Sequence, residues 1–307
     1  MITNSDDNAK VTGRPIRGIA VLGAGTMGHG IAQVAALAGY QVILRDINEA
    51  ALARGRQSIE GNLAKGIQLQ KITASDRDEA LKRIRTTTRM PDIAVADLII
   101  EAAPENLELK QNLLRECEAL IDSDCILATN TSSLSINEIA AVAARPEQVV
   151  GMHFFNPVHI MRLVEIVVAE KTSDIAVSTV RAVAGQMKKE PIIVRDVPGF
   201  ASSRLGVTLG LEAMRMVEQG VASARDIDTA MELGYNHPMG PLRLTDLVGL
   251  DVRLGIAEYL HGKLGSETFR PPEILRRMVR EGKLGKKSGE GFYKWNDPEN
   301  AQRAYTS

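Results

Sequence analysis

Along the first two thirds of the chain, short unbroken apolar runs alternate with longer stretches of helical spacing, a pattern that predicts strands and helices in turn. The run at 16–22 leads into a helix of small residues that lasts to Ala38. A second strand at 41–44 precedes a long polar helical stretch from about 48 to 80. Strands are then predicted near 85–88, 98–101 and 126–128, with helices near 107–121 and 136–144. Val149-Val150 and residues 163–168 read as two more apolar strands, and Asn156-Pro157 supplies a turn between them. This rhythm is that of an α/β protein with a doubly wound sheet, whose ligands bind outside the carboxyl ends of the strands.

The pattern changes after Val194. Asp196-Val-Pro198-Gly199-Phe200 reads as a break, and the segments 205–218, 224–233, 242–260 and 272–280 all show apolar spacing near 3.6 with no strand-like alternation between them. A chain of 307 residues is long enough for two domains. The expected organisation is a flexible N-terminal segment at 1–15, a cofactor domain at 16–197 and an all-helical domain at 198–307. The helical domain is small for its aliphatic content (Leu205, Leu209, Leu211, Met214, Met216, Val217), which predicts that part of this surface is covered by a second copy in a homodimer.

Composition narrows the classes of function. Although 44% of residues are hydrophobic, no uncharged run reaches the roughly 18 residues of a membrane span. The N-terminus lacks an apolar signal core and carries Asp6 and Asp7, so a cytoplasmic location is expected. With a formal charge of −1 and basic residues interleaved with acids, a nucleic-acid partner is not expected. The local exception, Lys283-Leu-Gly-Lys-Lys287, is either a solvated face or an anion contact. Cys117 and Cys125 are too few for a disulfide framework and lack metal-ligand spacing, so they read as buried fillers and no metal site is expected.

The first strand runs into Gly23-Ala-Gly25-Thr26-Met27-Gly28, and a helix follows. In that context GxGxxG is a dinucleotide fingerprint: Gly23 permits the tight turn, Gly25 lets the backbone approach a pyrophosphate, and Gly28 allows close helix–strand packing. The helix N-terminus offers N–H groups to the phosphates. Asp46 ends the second strand, roughly 20 residues past the loop, where an acid accepts from a ribose 2′-OH and repels a 2′-phosphate. NAD is therefore favoured over NADP, with Arg45 next door as the opposing signal. At two other strand ends stand Ala102-Ala-Pro-Glu105 and Thr129-Asn-Thr-Ser132-Ser133; one serine of the doublet is expected to cap the next helix and the other to face the site.

His153 follows the strand at Val149-Val150 and Glu165 lies within 163–168, both in segments otherwise fit for burial, and if the two strands run side by side the pair can be neighbours. A carboxylate accepting one ring N–H fixes the tautomer and raises the basicity of the other nitrogen, which describes a general base. A buried pair of this kind can also serve structure alone. Its place after a sheet strand, facing the glycine loop, favours catalysis.

These residues resemble the L-3-hydroxyacyl-CoA dehydrogenases, including the short-chain 3-hydroxybutyryl-CoA type. The resemblance rests on residues 21–28, Pro104-Glu-Asn106, Asn130-Thr-Ser-Ser-Leu134, His153-Phe-Phe-Asn-Pro157, Val164-Glu165, Pro198-Gly-Phe200, Pro238-Met-Gly-Pro241, Asp246-Leu-Val-Gly-Leu-Asp251 and residues 285–293. It implies a Rossmann-type NAD domain and a helical domain that dimerises. It further implies NAD-dependent, reversible oxidation of an acyl-CoA substrate, with His153 as catalytic base, Glu165 as its partner and Ser132 on the substrate oxygen. Glu105, Lys110, Asn130 and Lys287 are implied as dinucleotide contacts beside the glycine loop and Asp46. Asn62 and Lys65, on the long helical arm, are implied for acyl-CoA. Many members read Pro-Gly-Phe-x-x-Asn-Arg; here Ser203 stands in place of the asparagine, a shorter donor to the same oxygen. Two readings compete: a dehydrogenase of a free hydroxy acid of the L-gulonate or carnitine type, and a non-catalytic NAD-binding structural protein. A chain of a multienzyme complex is disfavoured, since no hydratase-like domain precedes the first strand.

Overall fold

The computed structural model describes residues 15–297. The chain divides into two compact units, with the boundary between Val197 and Pro198. The flexible segment expected at 1–15 lies, Pro15 apart, outside the described residues.

The first unit carries strands β1 (Gly18–Leu22), β2 (Gln41–Arg45), β3 (Ile84–Thr87), β4 (Leu98–Glu101), β5 (Ile126–Thr129), β6 (Val149–Phe154), β7 (Leu163–Val168) and β8 (Glu190–Arg195). They form one sheet in the order β3-β2-β1-β4-β5-β6-β7-β8. The strands from β3 to β6 pair in parallel, β7 runs antiparallel to β6, and β8 is parallel to β7. The central strands are apolar runs buried along their length, as a sheet covered on both faces requires. Helices α1 (Gly28–Leu37), α2 (Glu49–Gln68), α3 (Ala74–Arg83), α4 (Leu107–Glu118), α5 (Ile136–Ala140) and α6 (Asp174–Gln186) complete the unit.

Three features differ from the pattern-based expectation. The stretch expected as one helix at 48–80 is two, α2 and α3, because Gln70 takes a φ of 54° and Thr73 starts a new helix with a capping box to Asp76. Neither serine of the 132–133 doublet caps α5; Ser135 does, accepting from the Glu138 amide at 3.2 Å. Helix α6 and strand β8 went unrecognised, since α6 is rich in β-branched residues and β8 contains Pro191, which fits only an edge strand.

The second unit is helical: α7 (Ser202–Glu218), α8 (Ala224–Gly234), α9 (Pro241–Val248), α10 (Leu250–Leu264) and α11 (Glu273–Arg280). The single helix expected at 242–260 is divided at Gly249, whose φ of 105° ends α9 and begins α10. Val207, Leu211, Met214, Leu242, Leu250, Leu260 and Leu275 form the core. Two buried carboxylates organise the rest. Asp228 accepts from the Leu242 and Arg243 amides at 2.8 Å and from the Tyr293 hydroxyl at 2.7 Å. Asp246 accepts from the Phe292 and Tyr293 amides and the Trp295 indole N–H, each at 2.9 Å. Burial pushes both above the usual carboxylate range. The motif residues at 238–251 and 285–293 thus tie the last described segment onto α8 and α9.

Candidate active site

In the register of β6 and β7, His153 pairs with Glu165, so both side chains leave the sheet on the same face. Nδ1 of His153 and Oε2 of Glu165 are 2.8 Å apart, and Glu165 is fully buried. The carboxylate therefore contacts the ring at Nδ1. The Phe155 ring packs against the imidazole with centroids 4.5 Å apart. Asn130, at the end of β5, accepts from the Phe154 amide at 2.8 Å through Oδ1 and so fixes the end of the histidine's strand.

At the neighbouring strand ends, Glu105 gathers the loop after β5. Its Oε1 accepts from the Thr131 hydroxyl at 2.6 Å, the Ser132 and Ser133 amides at 2.9 and 3.1 Å, and their hydroxyls at 3.3 and 3.1 Å. Burial alone pushes Glu105 up, but the Thr131 hydroxyl, the Lys110 ammonium and the Ser132 amide outweigh it and hold the carboxyl below its ordinary value. Lys110 is almost entirely enclosed. Only 1% of its side chain is exposed, and its ammonium lies on Glu101 at 2.8 and 2.9 Å, the Ala103 carbonyl at 3.2 Å and Glu105 at 3.5 Å. Its ammonium thus bridges the end of β4 and the loop that carries Glu105.

The glycine loop has the shape a dinucleotide requires. A Cβ on Gly28 would lie 1.7 Å from the Gly23 carbonyl oxygen, and Gly23 itself takes a φ of 102°. Gly25, by contrast, faces open space: a Cβ there would meet nothing within 4 Å. Helix α1 begins just beyond Thr26 and Met27 with no side-chain cap and no acid in its first turn, which leaves its positive end for phosphate. Asp46 accepts from the Ala24 amide at 2.8 Å and from the Asn48 amide at 3.2 Å, which places its carboxylate beside the loop at the end of β2. On α2, Asn62 donates to Gln33 of α1 at 3.1 Å, and Lys65 is exposed. Burial, then the nearby His29, Lys189, Lys65 and Lys71, hold His159 below its ordinary value.

Residues 18–197 match the profile of the 3-hydroxyacyl-CoA dehydrogenase NAD binding domain, and residues 199–295 that of the 3-hydroxyacyl-CoA dehydrogenase C-terminal domain. The chain belongs to the 3-hydroxyacyl-CoA dehydrogenase family. Its cofactor is NAD. A probable 3-hydroxybutyryl-CoA dehydrogenase of Deinococcus radiodurans is 45% identical over 90% of this chain and 99% of the relative. The 3-hydroxyadipyl-CoA dehydrogenase of Escherichia coli is 40% identical over 91% of this chain and 59% of its own length. Among solved structures, the (S)-3-hydroxybutyryl-CoA dehydrogenase of Ralstonia eutropha superposes with a TM-score of 0.89 at 41% identity, covering 91% of this chain and 99% of that one.

Two residues expected in this family's site belong to the second unit. Ser203 lies in the first turn of α7, and Lys287 pairs with Asp251 at 2.6 Å. Lys283 contacts Glu290 and Glu281 at 3.2 and 3.5 Å. Pattern reading passed over Glu101, Thr129 and Lys189. The signal for the first two was present: an acid ends the apolar strand Leu98–Glu101, and the parallel register sets it opposite Thr129. Both cysteines are buried and neither forms a disulfide, and the Cys117 thiol is pushed up to about 12 by burial. Among the described residues no helix is long and apolar enough to cross a membrane.

Proposed function

We propose that the protein catalyses the reversible oxidation of a (3S)-3-hydroxyacyl-CoA to the 3-oxoacyl-CoA. The observation that carries this reading is the cross-strand contact of His153 with a fully buried Glu165. His153 takes the hydroxyl proton at Nε2 as the hydride leaves C3, and Glu165 stabilises the imidazolium that forms. Ser132 donates to the substrate oxygen and holds it in line. NAD, when bound, accepts the hydride. Gly23, Gly25 and Gly28, with the amides of Thr26 and Met27, hold its pyrophosphate, and Asp46 its ribose. Glu105 and Asn130 shape the neighbouring loop.

The acyl-CoA reading draws on the names of the relatives and on the exposed ammonium of Lys65, where Asn62 and Lys65 meet the CoA portion. A homodimer through the helical unit is supported by exposed apolar pairs one turn apart: Leu205 and Leu209 on α7, Leu244 and Val248 on α9.

Initial rates of NADH oxidation test the proposal. They are measured with 3-oxoacyl-CoAs of increasing length, with the corresponding free acids, and again with NADPH. Turnover of acetoacetyl-CoA with NADH is expected. Turnover of a free hydroxy acid or its ketone alone would reassign the substrate, and NADH binding without turnover of any of them would overturn the enzymatic reading.

A further inference from the structure

Glu101 ends β4, 7% exposed, with no role in the chemistry proposed above. Its carboxylate is nonetheless fully engaged. Both oxygens accept from the Lys110 ammonium, at 2.8 and 2.9 Å, Oε1 also accepts from the Ala103 amide at 2.6 Å, and Oε2 from the Thr129 hydroxyl at 2.6 Å. On its other side the same ammonium lies 3.5 Å from Glu105, which holds the amides and hydroxyls of Ser132 and Ser133. A buried ammonium between two carboxylates favours the nearer one, and here geometry divides it unequally: two short bonds to Glu101 and a looser contact to Glu105. Glu105 consequently keeps its Oε1 for the serine loop.

We infer that Glu101 is a positioning residue for the reaction: by holding Lys110, it sets how far Glu105 is drawn away from the Ser132 loop. Thr129 assists by fixing the second oxygen of Glu101. This rests on the reading of Ser132 as the group that holds the substrate oxygen. With glutamine at 101, Lys110 keeps its charge and has Glu105 as its one remaining carboxylate in this network. Glu105 then moves toward the ammonium, and the Ser132 amide and hydroxyl lose their acceptor. The loop is affected, while the glycine loop, Asp46 and the His153–Glu165 pair keep their own contacts.

The test is a double-mutant cycle in the full-length enzyme, with acetoacetyl-CoA and NADH, at a temperature where thermal melts show each variant folded. Glu101→Gln should lower kcat by roughly ten- to a hundredfold, the size expected when an orienting group shifts by up to about 1 Å. Its KM for NADH should stay within about threefold, because uniform cofactor binding is untouched. In a Ser132→Ala background the same substitution should cost almost nothing further, since the two act as one unit. Thr129→Val, which alters no charge, should give a smaller loss of kcat that likewise vanishes in the Ser132→Ala background; it carries the test if Glu101→Gln does not fold. Unchanged kcat in a folded Glu101→Gln variant, or losses that multiply with that of Ser132→Ala, would overturn the inference while leaving the reading of Ser132 intact. Full activity in Ser132→Ala itself would overturn both.

Discussion

Glu165 stands opposite His153 across two antiparallel strands, with its carboxylate oxygen 2.8 Å from Nδ1 and no exposed surface of its own. The reversal of β7 against an otherwise parallel neighbourhood creates this juxtaposition. Glu165→Gln keeps the shape and can still accept from the ring, but it removes the charge that stabilises the imidazolium. Loss of a charge-assisted hydrogen bond, worth about 1.5–3 kcal/mol, should lower kcat roughly 10- to 150-fold. Stopped-flow or steady-state rates on the folded variant check this; a kcat equal to that of the wild type would show the carboxylate to be structural.

His153→Gln removes the base itself. The rate should fall by about 10²–10⁴, the usual contribution of general base catalysis. NADH affinity, measured by fluorescence titration, should change little, since the proposed role of His153 is to take the substrate proton rather than to hold the dinucleotide. Undiminished turnover would remove the histidine from the mechanism.

The two outer glycines of the loop's second half should separate binding from folding. At Gly25 a methyl group meets no atom within 4 Å, so Gly25→Ala should fold with a Tm within about 2 °C of the wild type. The methyl occupies the space a pyrophosphate needs, and NADH affinity should fall by about tenfold or more. At Gly28 the methyl would sit 1.7 Å from the Gly23 carbonyl oxygen, so Gly28→Ala should express poorly or melt far lower. Equal behaviour of the two variants in melting and titration would contradict this division.

Much of the site was legible because it lies at strand ends announced by short signals: the glycine loop after an apolar run, the acid closing β2, the histidine and glutamate inside apolar strands. Pairing register turned those signals into geometry. What escaped was set by contacts distant in sequence. The enclosure of Lys110 by Glu101 and Glu105 was invisible in sequence, where the lysine stands on a helix several residues from either acid. Ser135 rather than Ser132 or Ser133 caps α5 because Glu105 gathers both earlier serines. The division of α9 from α10 depended on one glycine conformation, and β8 on an edge position that tolerates Pro191.

Asp46 should govern the choice between dinucleotides. Its carboxylate is held beside the loop by the Ala24 amide at 2.8 Å, a contact that the amide oxygen of Asp46→Asn can keep. The charge that repels a 2′-phosphate is lost, and Arg45 immediately precedes this position in the chain. The ratio of kcat/KM for NADH over NADPH should therefore fall by about tenfold or more, from the electrostatic change at short range. A ratio that does not move would place the discrimination elsewhere.

Lys189 predicts a pH dependence of stability. Its buried ammonium donates to the carbonyls of Val158 and Met161, in the segment between β6 and β7, and burial lowers its pKa from 10.5 to about 8. Between those two values the unfolded chain binds more protons than the folded one, so the stability gained from this group rises with pH across the window. It is fully present above about 10.5 and lost as pH falls through about 8. The same carbonyls accept from the neutral amine, so the segment stays tied when the proton leaves. Thermal melts of the wild type and of Lys189→Met at pH 7 and pH 10 isolate the effect from other titrating groups. The Tm difference in favour of the wild type should grow by a few degrees at the higher pH, the shift expected for a change on the order of 1 kcal/mol. A difference that shrinks with pH would mean that the ammonium is better stabilised in the folded state than in water.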